Sequence, residues 1–212
     1  MKLIFKFSFA VIIFSTFSPL AFASVSITEI MYDFPGTEGK GEHDWIEITN
    51  NGTESIDISG FKFFEADTNH GLKLDRGSTT LLPGALAVIA NATSTFLLDW
   101  PGFNGNLFDS SFSLNSTSAG EKLVIRNGDL VDEDSVTYSA DWGAKDDGKS
   151  LQKNSSGKWI AALPTPGLGA LENSQNSNST ATSTSTTTAV VNTTSSNSSW
   201  PVEQQIFANA GP

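Results

Sequence analysis

What most restricts the fold of this chain is the spacing of its apolar residues. Beyond residues 1–23, no window of eleven or more residues repeats apolar side chains at i, i+3, i+4 and i+7, which excludes an amphipathic helix of ordinary length. Short apolar runs recur instead, separated by Gly, Pro, Asn and Asp. Val25, Ile27 and Met31 alternate with Ser26, Thr28 and Ile30, with Glu29 as the polar exception in the first set. Trp45, Ile46, Glu47 and Ile48 form a second run that ends at Asn50-Asn51-Gly52. Ile56 and Ile58 alternate with Asp57 and Ser59, and Phe61, Phe63 and Phe64 follow Gly60. Leu86–Ala90 is a continuous apolar run behind the turn pair Pro83-Gly84, as in the core of a sandwich. KLVIRNGDLVDEDSVTY places β-forming runs on either side of Asn127-Gly128, the preferred pair for a two-residue type I′ turn. A last strand is expected at Ser150–Lys153, and residues 93–100 suit one helical turn ended by Pro101. This order predicts an antiparallel β-sandwich or barrel. The chain has no Cys, so the core must hold without a disulfide, and residues 24–170 are enough for that.

The two ends read differently. Lys2 and Lys6 precede an apolar stretch at residues 7–17, Pro19 breaks it, and Ala21-Phe22-Ala23 is a small-residue cleavage site. Residues 1–23 are expected to be an export signal cleaved after Ala23. The stretch is short against the roughly 20 residues of a membrane span, so no span is expected in the mature chain. Loss of the two lysines takes the formal charge from -11 to -13. At the other end, 22 of the 27 residues in 173–199 are Ser, Thr or Asn. Such a segment buries too little apolar surface to offset its ordering entropy, so residues 171–199 are expected to be a disordered linker. Apolar character returns at Trp200, Val202, Ile206 and Phe207, and FANAGP resembles the opening of a polycystic-kidney-disease-type repeat. Residues 200–212 are therefore expected to begin a further domain.

Six segments, in order, carry a more specific signal. They are ITEIMYDFPGTEGKGEHDWIEITNNG, IDISGF, LLPGALAVIA, FSLNSTSAGEKLVIRN, DSVTYSADWGAKDDGKSLQK and W…TPG. Together they resemble a lamin-tail domain of the bacterial, secreted type over residues 25–169. The resemblance implies an all-β fold, an immunoglobulin-like antiparallel β-sandwich. It also implies a structural or binding module of the kind that accompanies secreted hydrolases or wall-associated modules. Within it, Trp45 and Ile48 read as core, Asp147-Gly148 as a turn, Trp142 and Trp159 as covers for the sandwich ends, and Thr165-Pro166-Gly167 as the stop after the last strand. The loop NSTSAGE is longer than the family usually carries.

Charge excludes one class of partner. Twelve basic residues against twenty-three acidic ones leave no Lys/Arg cluster for phosphate neutralisation, so no nucleic acid is expected. The acids gather as Glu38, Glu42, Asp44 and Glu47; as Asp129, Asp132, Glu133 and Asp134; and as Asp141, Asp146 and Asp147. None has the D-x-D-x-D-G spacing of a calcium loop. The hairpin acids Asp129, Asp132, Glu133 and Asp134 are calcium candidates on charge alone, and the expected reading is a solvated, charged sheet edge. His43 and His70 are the only histidines, and no G-x-S-x-G elbow accompanies them. No catalytic, cofactor-binding or metal-ligating residue is therefore assigned.

The expectation is a non-catalytic structural or binding module of an exported, secreted or cell-surface bacterial protein. It would be tethered by the linker to a further domain and would contact a protein or a cell-surface polymer. The alternative is an accessory domain of a secreted hydrolase whose catalytic domain lies beyond Pro212. The long loops 34–44 and 102–118 are the candidate contact surfaces.

Overall fold

The first strand changes sides halfway along. In the computed structural model, which describes residues 24–36 and 41–169, β1 (Val25–Met31) pairs antiparallel with β2 (Trp45–Asn50). The register runs Ile27 to Ile48 and then Glu29 to Glu47, so Thr28 is an extra residue. This β-bulge inverts the alternation. Val25 and Ile27 face one core; after the bulge, Ile30 and Tyr32 do, while Met31 joins a second core on the other face. The simple alternation expected for Val25, Ile27 and Met31 is thus corrected, because one inserted residue reverses the parity of everything after it.

The remaining strands are β3 (Ile56–Asp57), β4 (Lys62–Glu65), β5 (Thr68–Gly71), β6 (Lys73–Arg76), β7 (Thr80–Leu81), β8 (Leu86–Ala90), β9 (Asn106–Asp109), β10 (Glu121–Arg126), β11 (Asp132–Tyr138), β12 (Ser150–Lys153) and β13 (Trp159–Ala162). One sheet has the order β13-β12-β1-β2-β8-β9-β6, a second β11-β10-β4-β5, and β3 pairs with β7 alone. All pairings are antiparallel except β8 with β9, which run parallel. The chain crosses between those two through helix α1 (Thr93–Asp99). Ile27, Ile46, Ile48, Ile89, Phe108 and Leu151 of the large sheet meet Phe63, Leu123, Ile125 and Tyr138 of the small one in the main core. This is an immunoglobulin-like β-sandwich, as expected.

The outer face of the large sheet is also covered. Met31, Trp45, Val88, Ala90 and Leu107 pack under Phe96 of α1 and Phe103 of the following loop. Trp45 meets Phe96 edge-on at 5.8 Å, and Phe96 meets Phe103 at 5.1 Å. Burial on both faces explains the continuous apolar run of β8 and the nearly unbroken burial of β1 and β2. The helix is two turns rather than one, because Phe96 has a second core to fill.

Two turn assignments exchange places. Asn127-Gly128 does not form a two-residue turn; β10 and β11 are joined by five residues. Asn127 Oδ1 accepts the backbone N–H groups of Asp129 and Val131, and the positive φ falls on Leu130 (61°). The asparagine side chain organises the loop in place of an I′ backbone. The I′ geometry appears instead between β4 and β5, where Ala66 (φ 44°) and Asp67 (φ 58°) are both left-handed. The strand Ser150–Lys153 is present but is not the last. Trp159 begins β13, opposite Lys153, and packs against the core, while Trp142 is 41% exposed. The expected signal 1–23, the linker 171–199, the segment 200–212 and Glu38 lie outside the described residues.

Candidate functional site

The bulge at Thr28 places Glu29 directly across from Glu47, and both carboxylates are buried on the outer face of the large sheet. Glu29 Oε1 accepts from Ser150 Oγ, from Gln152 Nε2 at 3.1 Å and from the Thr165 backbone N–H at 2.9 Å; Oε2 accepts from Thr165 Oγ1 at 3.1 Å. Glu47 accepts from Thr28 Oγ1 at 2.8 Å and from the Gly167 backbone N–H at 2.7 Å. Residues 163–169 thus form a strap across the sheet, held by two acids. Its turn is type II in outline: Leu168 N–H donates to Thr165 O at 3.0 Å, Pro166 presets one φ and Gly167 supplies the positive one (85°). Burial pushes the Glu29 carboxyl up to about 7, with its neighbour Glu47 adding to the rise and the Ser150 and Thr165 donors opposing it. Burial likewise raises Glu47.

A second acidic network lies at one end of the sandwich. Asp44 Oδ2 accepts the Leu114 N–H at 2.8 Å, and burial pushes its carboxyl up to about 8 against that bond. Glu121 Oε2 accepts the Asn115 N–H at 3.0 Å and lies 3.1 Å from the Tyr138 hydroxyl, which donates to Asn115 O at 2.6 Å. Burial raises Glu121, and its neighbour Glu65 raises it further. Glu65 Oε2 is buried without a donor. Burial also raises Tyr138 and pushes Tyr32 up to about 12. Their rings lie 5.0 Å apart between the sheets.

Beside the strap runs a groove of about 290 Å³, lined by residues 84–88 with Phe103, Gly105 and Gly167. Phe103 and Gly105 belong to the segment 102–118 expected to be one long loop and contact surface; the structure corrects this, because β9 runs through it between β8 and β6 with Leu107 and Phe108 buried. Gly84 (φ 76°) closes the Pro83-Gly84 turn, where Ala85 N–H donates to Leu82 O at 2.9 Å.

The acids picked out by sequence are dispersed rather than gathered. Asp132 pairs with Arg126 at 2.8 Å, Glu133 accepts from Asn127 Nδ2 at 2.9 Å, and Asp129 is exposed on the loop. Asp134 accepts the Ile27 N–H at 2.9 Å, with Lys153 Nζ 3.7 Å away. That bond satisfies an amide of β1 beyond the β1–β12 ladder, which joins only at Glu29 and Ile30. Asp44 and Glu47 diverge into separate networks. Among the described residues, no three His, Asp or Glu side chains are placed to hold a metal ion. His43 Nδ1 contacts Asp99 Oδ2 at 2.7 Å under a stacked Phe34, tying the turn Gly41–His43 to α1. His70 Nε2 lies 3.1 Å from Glu65 Oε1. The residue that sequence reasoning passed over is Glu29. Its signal was present: a lone acid inside an otherwise apolar set, opposite a second run that also carries one acid between apolar neighbours.

Fold and site define an immunoglobulin-like sandwich whose buried acids serve its own backbone. The chain belongs to the Lamin Tail Domain family, whose model matches residues 19–163. That stretch covers the sandwich and stops short of Thr165 and Gly167. No curated protein and no solved structure matches the chain. Among the described residues no helix is long and apolar enough to cross a membrane.

Proposed function

We propose that this chain is a non-catalytic structural or binding module of a secreted or cell-surface bacterial protein. The observation that supports it most is how its carboxylates are used. Glu29, Glu47 and Asp44, the buried acids with raised pKa values, face hydrogen-bond donors of the fold itself. A raised carboxyl in an open cleft suggests acid–base chemistry; one sealed under its own chain suggests architecture. Export is supported by Lys2, Lys6, the apolar residues 7–17 and Ala21-Phe22-Ala23. Tethering to a further domain is supported by the Ser/Thr/Asn composition of residues 173–199. The ligand class is a protein or a cell-surface polymer, met at the loop-lined groove beside β8.

The test is expression of the full chain in a bacterium, followed by N-terminal sequencing of the exported product and its incubation with cell-wall polymer. Export with a new terminus at Ser24, retention on the polymer and no release of soluble fragments are expected. Turnover of the polymer would overturn the non-catalytic reading, and a cytoplasmic product that keeps Met1 would overturn export.

A further inference from the structure

The strap at residues 163–169 has one unusual property. Its main attachments are two facing carboxylates, and neither has an ion-pair partner among the described residues. From β2 comes Glu47, from β12 Ser150 and Gln152, from the strap Thr165, and from β8 Val88 opposite Glu47. Only Glu47 among these titrates, so each charge placed on the pair meets a like charge and no cation. The strap also acts on the pair in two opposed ways. Its N–H and hydroxyl donors favour the ionised form, whereas its cover excludes the water that would solvate that form.

We propose that residues 163–169 are a pH-released clasp, closed over Glu29 and Glu47 while the pair holds a proton and opened as both ionise. The geometry supplies three supports. First, the carboxylates are held on adjacent strands at a bulge and cannot separate. Second, Gln152 Oε1 is buried without a donor on the side chain whose Nε2 contacts Glu29, so a turn of that amide would offer a protonated carboxyl an acceptor. Third, the strap is light. It is a turn outside both sheets, and at Gly167 and Gly169 it brings no side chain against the neighbouring Phe103 and Leu86. It can therefore leave without unpairing a strand. The direction follows from linkage: with the strap on, Glu29 sits at about 7, and with it off, water returns the group toward 4.5. Opening is thus favoured as pH rises through that interval. Release uncovers the acidic pair next to the groove at Gly167, so what the groove meets depends on pH.

Amide hydrogen exchange on the full chain, read at Thr165 and Gly167 and corrected for the intrinsic pH dependence of exchange, tests this. The opening equilibrium of these amides is expected to rise roughly 10- to 100-fold from pH 5 to pH 8, while Ile30 and Ile46 stay protected. Glu29→Gln should flatten most of that rise, and Glu29→Gln with Glu47→Gln should abolish it. Equal opening at both pH values in the unmodified chain would overturn the proposal. So would exchange of Thr165 and Gly167 in step with Ile30 and Ile46, because opening would then be global. The unmodified chain alone decides the matter if either variant fails to fold.

Discussion

Asp44 accepts the backbone N–H of Leu114 at 2.8 Å, across seventy positions of sequence. The bond ties the entry of β2 to the segment before β10, and it is made by a carboxyl that burial pushes from 3.8 to about 8. The fold therefore favours its neutral form. Its contribution is whole below about pH 4 and is lost as pH rises to about 8. Denaturant unfolding should show stability falling over that range, by at most roughly 5 kcal/mol for this group. Asp44→Asn keeps an acceptor for Leu114 and should flatten the loss. Glu29, at about 7, titrates over the same range, so the slope is read in a Glu29→Gln background. An unchanged slope in the variant would assign the loss elsewhere.

The turn at Ala66-Asp67 asks two L-residues to adopt positive φ (44° and 58°). Replacing them with the pair suited to this geometry, Ala66→Asn with Asp67→Gly, should raise stability by about 1 kcal/mol. Thermal unfolding would show it as a higher midpoint. A lower midpoint would mean that Asp67 makes a compensating contact.

Gly167 is constrained twice. Its φ is 85°, and a Cβ there would sit 3.2 Å from Phe103 Cε2. Gly167→Ala should cost about 1–3 kcal/mol in equilibrium unfolding, and in a double-mutant cycle the same substitution should cost less in a Phe103→Ala background, where the contact is gone, although Phe103→Ala is itself destabilising.

The outer core makes α1 a structural cover. Phe96→Ala should cost about 3–5 kcal/mol by opening a cavity above Trp45. Leu98, 81% exposed on the same helix, should change stability by less than about 0.5 kcal/mol when truncated. Equal effects would mean that the helix is not seated as described.

Calcium should leave the protein unchanged. Asp132, Glu133 and Asp134 are each engaged with Arg126, Asn127 or Ile27, and Asp129 stands apart on the loop. Added calcium, then chelator, should move the melting temperature by less than about 1 °C. A rise of several degrees would require those contacts to be remade around the ion.

Legibility in the sequence followed burial. β1, β2, β4, β8 and β10 carry apolar residues at a readable spacing and are all found, while β12, SLQK, holds one apolar residue and follows the Asp147-Gly148 turn. β5 and β6 are edge strands, TNHG and KLDR, that bury almost nothing, so no apolar pattern marks them. β9 is short and joins β6 and β8 across the helix and a loop, and β13, WIAA, is a short edge strand whose residues are all only partly buried. The local signal Asn-Gly misdirected because Asn127 serves through its side chain, a use the dipeptide does not reveal. The candidate site was half legible. Glu29 stood out as an anomaly, but the bulge that turns it toward Glu47 is a register event, visible only in the paired strands. The Thr-Pro-Gly turn could be read as a stop, yet nothing local says that its amides end on acids more than a hundred residues earlier.

The position of β1 also fixes when this fold can be completed. Its second neighbour, β12, is joined through Glu29 opposite Gln152, and its outlying amide at Ile27 is satisfied by Asp134. Both partners follow it by more than a hundred residues. As the chain is made, β1 can pair with β2 early but keeps an open, apolar edge until β12 arrives. Closure of that many long loops makes folding slow and exposes the edge to other chains meanwhile. A chain stopped anywhere before Ser150 leaves that edge of β1 uncovered, so the large sheet is complete only once its last strands return to its first.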